Sequence, residues 1–554
     1  MQKVLSAKEM REVDRLTTER YGIPSLILME NAAQAAACII REKLGSDLDG
    51  RSVLVLCGKG NNGGDGAALA RILWQQGADV EVCLFGKVEN TEGDARINFE
   101  ILQNIAEYEG FELTQADLAF EEIESLEEWL EYDSLNFHAD DPDVLVDALF
   151  GTGLSRSLDE MYEQAAAYIN AFCEGADQCG TLVVSLDVPS GLDADRANQI
   201  GTNVQAHLTV SFTAPKLANV LPPASDFNGE VRVVNIGSPC ELVNNSASQA
   251  FISQELDAAH WLKQTEFLSG SYKNKRGHAL IIAGSENYTG AAVLCGNAAI
   301  RSGVGLVTLM VPSSSQTAIA SRVLPEVMVR AISETQKHAI SEKAFTEIED
   351  FWEKADVVAV GSGLSHTDAS TKKLVNRVIK ERRTPVVIDA DALNLLSPFK
   401  LKGDDLLPLI LTPHEGEFLR LLGAKNKNVL EQRVSAVRDF AVRNDVILVL
   451  KGERVLIGAP DGRVVINPTG NSGLGKAGTG DTLTGIIAGF VAQAVQMHVD
   501  IFETVVAAVY TASLAGDIAA AKYGKRVLTA SDVRESLADA FTLLESPDAE
   551  ARTQ

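Results

Sequence analysis

The chain has 554 residues, too many for one ordinary hydrophobic core, so two or more domains are expected. Its 46% hydrophobic and 23% charged residues are a globular balance and exclude wholesale disorder. A net charge of -27 excludes non-specific attraction to nucleic acid or an anionic membrane; a phosphate ligand would have to be held by local N–H groups and helix ends.

The opening MQKVLSAKEM lacks a basic stretch followed by an apolar one, so no signal peptide is read there. No uninterrupted apolar run reaches the roughly 18 residues needed to cross a bilayer, and the expected location is the cytoplasm. A helix is expected over 29–43, then strands at 53–57, 80–85, 144–149, 182–186, 208–212 and 231–236. Most are Val/Leu-rich without alternation, as in parallel strands covered on both faces. Between Glu107 and Asp141 an acidic stretch containing EEIESLEEWLEYD reads as a solvated insertion with some helix. The polar SPCELVNNSAS marks a domain boundary near residue 245, giving domains 1–245 and 246–554. A second α/β series follows, with strands at 278–283, 304–311, 357–360, 385–388, 409–411 and 446–450 and long helices at 480–495 and 502–520. Seven cysteines form no CxxC and read as reduced thiols. Eight histidines without HExxH give no zinc signature.

The chemistry-bearing residues fall after strands. GKGNNGGDG follows VLVLC, and Gly58, Gly60 and Gly63 satisfy GxGxxG between a strand and a helix. Glu81 lies inside the next strand rather than at its end, so the dinucleotide fingerprint is incomplete. Asn61, Asn62 and Asp65 add two amides and a carboxylate on a glycine-rich turn, groups able to hold a phosphate, a ribose or a hard cation. VLVDALFGTGLSRS carries Asp147 into Gly151-Thr152-Gly153, and VVSLDVPSGLDAD carries Asp187 into Pro189, Ser190 and Gly191. Three strand ends thus deliver polar loops to one edge of an open sheet, where ligands bind.

GKGNNGGDG, DALFGTG and DVPSGLDAD, in that order, resemble the NAD(P)HX epimerase family (YjeF amino-terminal domains) over roughly residues 1–240. The resemblance implies a Rossmann-like open parallel sheet and interconversion of the two C6 epimers of hydrated NADH or NADPH, with bound potassium. It implies hydrate contacts from Asn61, Asn62, Gly63, Gly64 and Asp65, and from the loop Gly151, Thr152, Gly153, Leu154, Ser155, Arg156 and Ser157. It further implies potassium ligands Asn62, Asp147 and Ser190, with Asp187 at the reacting ring. Epimerisation moves protons on and off the hydrate, so one positioned carboxylate, Asp187, is expected to be catalytic.

The strongest motif is GNSGLGKAGTGDTLTG, leading into a long apolar helix. Gly478, Thr479 and Gly480 put free N–H groups and the helix dipole against an anion, and Asp481 follows at once. Gly470, Gly475 and Lys476 mimic a P-loop, but residue 477 is Ala where the magnesium-binding Ser or Thr would stand, and that reading is rejected. VLKGERVLIG, VVAVGSGLSH, VVIDADALNLL and LILTPHEGEFLRLLG end further strands in polar loops, among them His414 as an expected ligand contact. With SYKNKRGHALIIAGSENYTGAAVL, these resemble the ribokinase-like ADP/ATP-dependent NAD(P)H-hydrate dehydratases over roughly 250–545. Asp481 is then the catalytic base, with Ala291, Gly363, His414 and Asp481 on the hydrate. Lys451, Gly452, Glu453, Arg454, Val455, Asn471, Gly478, Thr479 and Gly480 are expected on the nucleotide. Tyr272, where the family leads one to expect histidine, and the GSGLSH loop, commonly more glycine-rich, are departures.

Epimerase followed by dehydratase is the pair that repair of both hydrate epimers requires. The implied ligands are the NADHX and NADPHX hydrates, ADP with Mg2+, and K+; a homo-oligomer is expected, with no nucleic acid and no membrane partner. The competing readings are a ribokinase-like small-molecule kinase for the second half and a non-catalytic nucleotide-binding module for the first.

Overall fold

The computed structural model of the chain describes residues 1–45, 47–107, 116–136, 141–174 and 180–546. They form two compact units, Lys3–Ser248 and Met1–Gln2 with Gln249–Gln554.

The first unit is a Rossmann-like open sheet. Seven parallel strands lie in the order Leu118–Ile123, Asp79–Phe85, Ser52–Cys57, Val144–Ala148, Leu182–Leu186, Leu208–Phe212 and Glu230–Val234. The winding direction reverses between Ser52–Cys57 and Val144–Ala148, which opens a crevice at their carboxyl ends. Both faces of the central strands are covered, so their Val/Leu runs do not alternate. One face packs on Ala33, Ile40, Leu69 and Phe99. The other packs on Trp129, Tyr162 and Ile169, where Phe85 and Trp129 rings lie 5.1 Å apart. Ahead of the sheet, helix Ala7–Tyr21 is bounded by local chemistry. Ser6 and Glu9 cap each other's backbone N–H groups, and Gly22, at φ 68°, ends the helix.

The acidic stretch departs from its sequence reading. Residues 108–115 and 137–140 lie outside the described residues, but Leu118–Ile123 is an edge strand parallel to Asp79–Phe85. Helix Leu126–Asn136 follows and buries Trp129 to 1% exposure. The stretch therefore completes the sheet. Its acidic residues misled because an edge strand keeps one face in water.

In the second unit the strand order runs Ala250–Ile252, Val464–Ile466, Leu456–Gly458, Ile447–Leu450, Leu409–Leu411, Val386–Ile388, Val357–Val360, His278–Ile282, Leu306–Pro312 and Val327–Ile332. From Ile447–Leu450 to Val327–Ile332 all neighbours are parallel; only the pairings of Leu456–Gly458 are antiparallel. Helix Thr479–Met497 packs against helices Thr289–Arg301 and Ile501–Tyr523. A Cβ on Gly485 would sit 2.2 Å from the Cys295 carbonyl oxygen and one on Gly489 1.8 Å from Ser302 Oγ, so this approach requires glycine. Helix Ile501–Tyr523 is long and apolar enough to cross a membrane by length and composition, contrary to the expectation from uninterrupted runs. It is packed inside this unit, with 72% of its apolar window buried.

Candidate active sites

The first site forms at the switch point of the first unit. A Cβ on Gly63 would lie 1.7 Å from the Gly58 carbonyl oxygen, and one on Gly58 2.0 Å from the Leu149 carbonyl oxygen. Glycine at these positions is what lets helix Asn61–Gln75 begin so close to the strand ends. The Asn62 side chain is buried, and its Oδ1 lies 3.0 Å from where a Gly151 Cβ would stand, so two of the sequence-predicted loops meet. Its Nδ2 is buried without a hydrogen-bond partner. Asp147 is fully buried; its carboxylate accepts from Ser185 Oγ (2.8 Å), Ser190 N (2.8 Å), Ser190 Oγ (2.5 Å) and Leu149 N (3.3 Å). Burial pushes its pKa up against the pull of these bonds. Ser190 Oγ also accepts from Phe150 N at 2.8 Å, tying the Asp147 and Asp187 loops together. Within the 151–157 loop, Leu154 packs into the aromatic core while Gly153, Ser155, Arg156 and Ser157 are exposed.

Asp187 follows strand Leu182–Leu186 in a left-handed conformation, φ 65°. Such strain is kept only where neighbours over-determine it. Its N–H donates to Val210 O (2.7 Å), its carbonyl accepts from Asn219 Nδ2 (3.2 Å), and its Oδ1 accepts from Phe212 N (3.1 Å). Oδ1 also pairs with Lys216 Nζ, whose side chain is fully buried and which donates further to Phe212 O (2.9 Å) and Ser211 Oγ (3.2 Å). Sequence reasoning missed Lys216, although TAPK ends a fourth strand, Leu208–Phe212, at the same sheet edge. It also missed Asp14, on helix Ala7–Tyr21, whose Oδ1 is buried without a partner. Burial, then the Asp187 charge, raise the Asp14 pKa to about 6 against the pull of Lys216. Asp65 is pushed well above the carboxylate range by burial, then by Asp187 and Asp14.

In the second unit five neighbouring strand ends converge. A Cβ on Gly363 would lie 2.9 Å from Ala291 Cβ and 2.8 Å from Tyr288 Cβ, so Ala291 and Gly363 share one wall. Tyr288, an exposed aromatic beside them, carried no sequence signal. Asp389 is 1% exposed and its Oδ1 accepts from Thr412 Oγ1 and from Lys451 Nζ, each at 2.8 Å. Burial opposes the Lys451 ammonium, but the Asp389, Glu417 and Asp481 charges raise its pKa overall. Lys451 Nζ also lies 3.2 Å from where a Gly480 Cβ would stand, over the start of helix Thr479–Met497. Gly478 caps that helix at φ 92°. Burial, then the Asp389 charge, raise the Asp481 pKa to about 6. His414 pairs across to Lys451 in a β-bridge and caps helix Glu415–Leu422, its Nδ1 accepting from Gly416 N at 3.0 Å. Its Nε2 lies 3.5 Å from Glu417 Oε1, on an exposed side chain.

Two predicted nucleotide contacts use their side chains within the protein. Asn471 Nδ2 donates to Asp517 Oδ1 (2.8 Å), and Thr479 Oγ1 to Leu474 O (2.8 Å); the Asn471 carbonyl accepts from Leu474 N (3.0 Å), and Thr479 N–H makes a long bond to Lys476 O (3.4 Å). Lys476 Nζ is tied to the Arg526 and Leu528 carbonyls, in keeping with rejection of a P-loop. Arg433, missed in the sequence, holds the 451–455 loop: its Nη2 donates to Arg454 O at 3.3 Å and lies 2.6 Å from a Gly452 Cβ position.

A Rossmann-like sheet with a carboxylate–ammonium pair at its strand ends, followed by a parallel α/β domain with a carboxylate at a glycine-lined helix start, define a two-domain enzyme class. The YjeF-related protein N-terminus family matches residues 25–218, and the NAD(P)H-hydrate dehydratase family matches residues 279–538. The chain is 37% identical to the bifunctional NAD(P)H-hydrate repair enzyme Nnr of Moorella thermoacetica over 96% of each chain. It is 34% identical to that of Thermofilum pendens over 98% of this chain and 97% of the other. It is also similar to the solved ADP/ATP-dependent NAD(P)H-hydrate dehydratase from Bacillus subtilis co-crystallized with ATP/Mg2+, at 30% identity and TM-score 0.46, covering 53% of this chain and 99% of that one. The chain belongs to the family of bifunctional NAD(P)H-hydrate repair enzymes.

Proposed function

We propose that the first unit interconverts the R and S epimers of hydrated NADH or NADPH. The second unit converts the S epimer back to the reduced nicotinamide at the expense of ADP, giving AMP and phosphate. The observation that carries this reading is Asp481 at a glycine-lined helix start beside the Lys451–Asp389 pair. A carboxylate with a pKa of about 6 there suits a general base at neutral pH. It takes the ring hydroxyl proton as that oxygen bonds to the terminal phosphorus of the nucleotide and the bond from that phosphorus to the bridging oxygen breaks, its electron pair leaving with AMP. The 478–480 N–H groups and the Lys451 ammonium face the charge that develops. Hydroxide, a poor leaving group, is thereby replaced by phosphate.

The hydrate contacts are assigned to Ala291, Gly363 and His414, and the nucleotide to the 451–455 and 471–480 segments. Among the described residues no three acidic or His/Cys side chains are gathered to hold a metal by themselves, so Mg2+ would be held chiefly by the nucleotide phosphates, with the Asp481 carboxylate the nearest protein oxygen donor to them. Bound Mg2+ neutralises nucleotide phosphate charge. At the first site Asn62 Oδ1, Phe150 O and Ser190 Oγ, with the Asp147 charge behind them, form an all-oxygen set that fits K+. Bound K+ supplies a fixed positive charge beside the hydrate.

The test is a repair assay with both epimers of hydrated NADH, Mg2+ and K+, and ADP, ATP or no nucleotide. Complete recovery of reduced-nicotinamide absorbance with ADP, faster than spontaneous epimer exchange, is the expected result. Rapid recovery of the S portion alone overturns the epimerase assignment. A stable phosphorylated product with no recovery overturns the dehydratase assignment in favour of a kinase.

A further inference from the structure

Helix Ala7–Tyr21 packs through Met10 and Val13 on Ala214, two residues before Lys216, and so brings Asp14 into the neighbourhood of the Lys216–Asp187 pair. Three carboxylates and one ammonium are near enough there to feel one another's charge. Asp187 comes from a strand end, Asp65 from helix Asn61–Gln75 and Asp14 from helix Ala7–Tyr21; the cation is Lys216. From helix Cys240–Asn244, also packed against helix Ala7–Tyr21, the acidic side chain is Glu241, which is engaged by Tyr21. The ammonium is committed to Asp187, and Asp187 Oδ1 is held by Lys216 and by Phe212 N. Asp187 Oδ2 accepts no hydrogen bond among the described residues. Asp14 Oδ1, in contrast, is buried and satisfied by nothing in the protein. An unpaired buried carboxylate oxygen is costly, and one beside an ion-paired carboxylate has a use.

We propose that Asp14 is a second catalytic residue of the epimerase site, the proton donor that works with Asp187 as acceptor. This rests on the epimerase reading of the first unit. In the S-to-R direction the Asp14 carboxylic acid gives its proton to the hydroxyl oxygen of the hydrate. The C–O bond breaks, its electron pair leaves with water, and the ring nitrogen lone pair forms C=N. Water then adds to the opposite face of that carbon. The new C–O bond forms as the C=N pair returns to nitrogen, and the surplus proton of the water passes to the Asp187 carboxylate. One water is lost and one gained, and nothing is oxidised or reduced. In the reverse direction the two carboxyls exchange roles, so the active form carries one proton on the pair. The raised Asp14 pKa of about 6 agrees with a group that still holds a proton near neutrality.

The experiment follows epimerisation of the separated S hydrate of NADH, the direction in which Asp14 is the donor, by the full chain, without nucleotide so that dehydration is silent. Asp14→Asn is expected to lower kcat by about 10²–10⁴-fold, the usual worth of general acid catalysis. KM should stay within about threefold, since substrate contacts are retained. Dehydration of the S hydrate with ADP should remain at the wild-type rate, which shows the protein is folded. Wild-type kcat/KM should fall as pH rises through about 6, and the residual activity of the variant should lack that limb. Activity of Asp14→Asn within about tenfold of wild type overturns the proposal, as does a wild-type profile flat across pH 5–8. If the variant's first unit does not fold, the wild-type profile and Asp14→Glu decide: the Glu variant keeps the alkaline limb if the carboxyl does the chemistry, and a variant that is active without the limb overturns it. A wild-type chain with no epimerase activity overturns the epimerase reading itself, an outcome distinct from an active enzyme indifferent to Asp14.

Discussion

At the scale of single residues, Asp14 is held where its charge is unfavourable. Its folded pKa of about 6 exceeds the ordinary aspartate value, so its neutral form is the favoured one. The associated stability is full below pH 4 and is lost as pH rises through about 6, for a total of roughly 2–3 kcal/mol. Asp14→Asn is therefore expected to raise the Tm of the first unit at pH 8 and leave it unchanged at pH 4, in thermal scans at both pH values. In the second unit the balance is opposite. Lys451→Met strips the cation from a carboxylate, Asp389, that is 1% exposed, and is expected to destabilise that unit by about 3–5 kcal/mol in urea unfolding. Asp481→Asn should lower the dehydratase kcat by about 10²–10⁴-fold without touching epimerisation. With wild-type protein, dehydratase kcat/KM should rise as pH increases through about 6, where Asp481 becomes able to accept a proton.

At the scale of elements, glycines place the second site. Helix Thr479–Met497 carries Asp481 in its first turn, and the helix reaches helix Thr289–Arg301, which carries Ala291, only because Gly485 and Gly489 have no side chain. Gly485→Ala is expected to cost about 1–3 kcal/mol of overpacking and to lower dehydratase kcat, with epimerase rates as an internal control. Fused α/β units of this kind are legible from sequence where strands are covered on both faces, because Val/Leu runs then stand out. The edge strand Leu118–Ile123 was not legible. Its LAFEEI alternates apolar with exposed or acidic positions, and its neighbours EEIESLEEWLEYD dominate the local composition.

At the scale of the whole molecule, each unit has its own core and its own strand-end site. A fragment beginning at Gln249 is expected to fold and to dehydrate the S hydrate with ADP, with no effect on the R epimer beyond spontaneous exchange; assay of the purified fragment checks this. The sequence by itself determined the two α/β units, the glycine loops after their strands, and the placing of Asp147, Asp187 and Asp481 at strand ends or a helix start. Those features are local: a turn needs its glycines, and a polar loop after a buried strand is contiguous in the chain. Only the tertiary structure decided that Lys216 neutralises Asp187, that Lys451 pairs with Asp389, and that Asp14 joins the first site. Lys216 and Asp187 are 29 residues apart, and Lys451 and Asp389 are 62 apart. Asp14 sits on a highly charged helix, AKEMREVDRLTTERY, in which no spacing sets it apart. Pairing and desolvation arise when distant segments close over a group, and neither is encoded in any one segment.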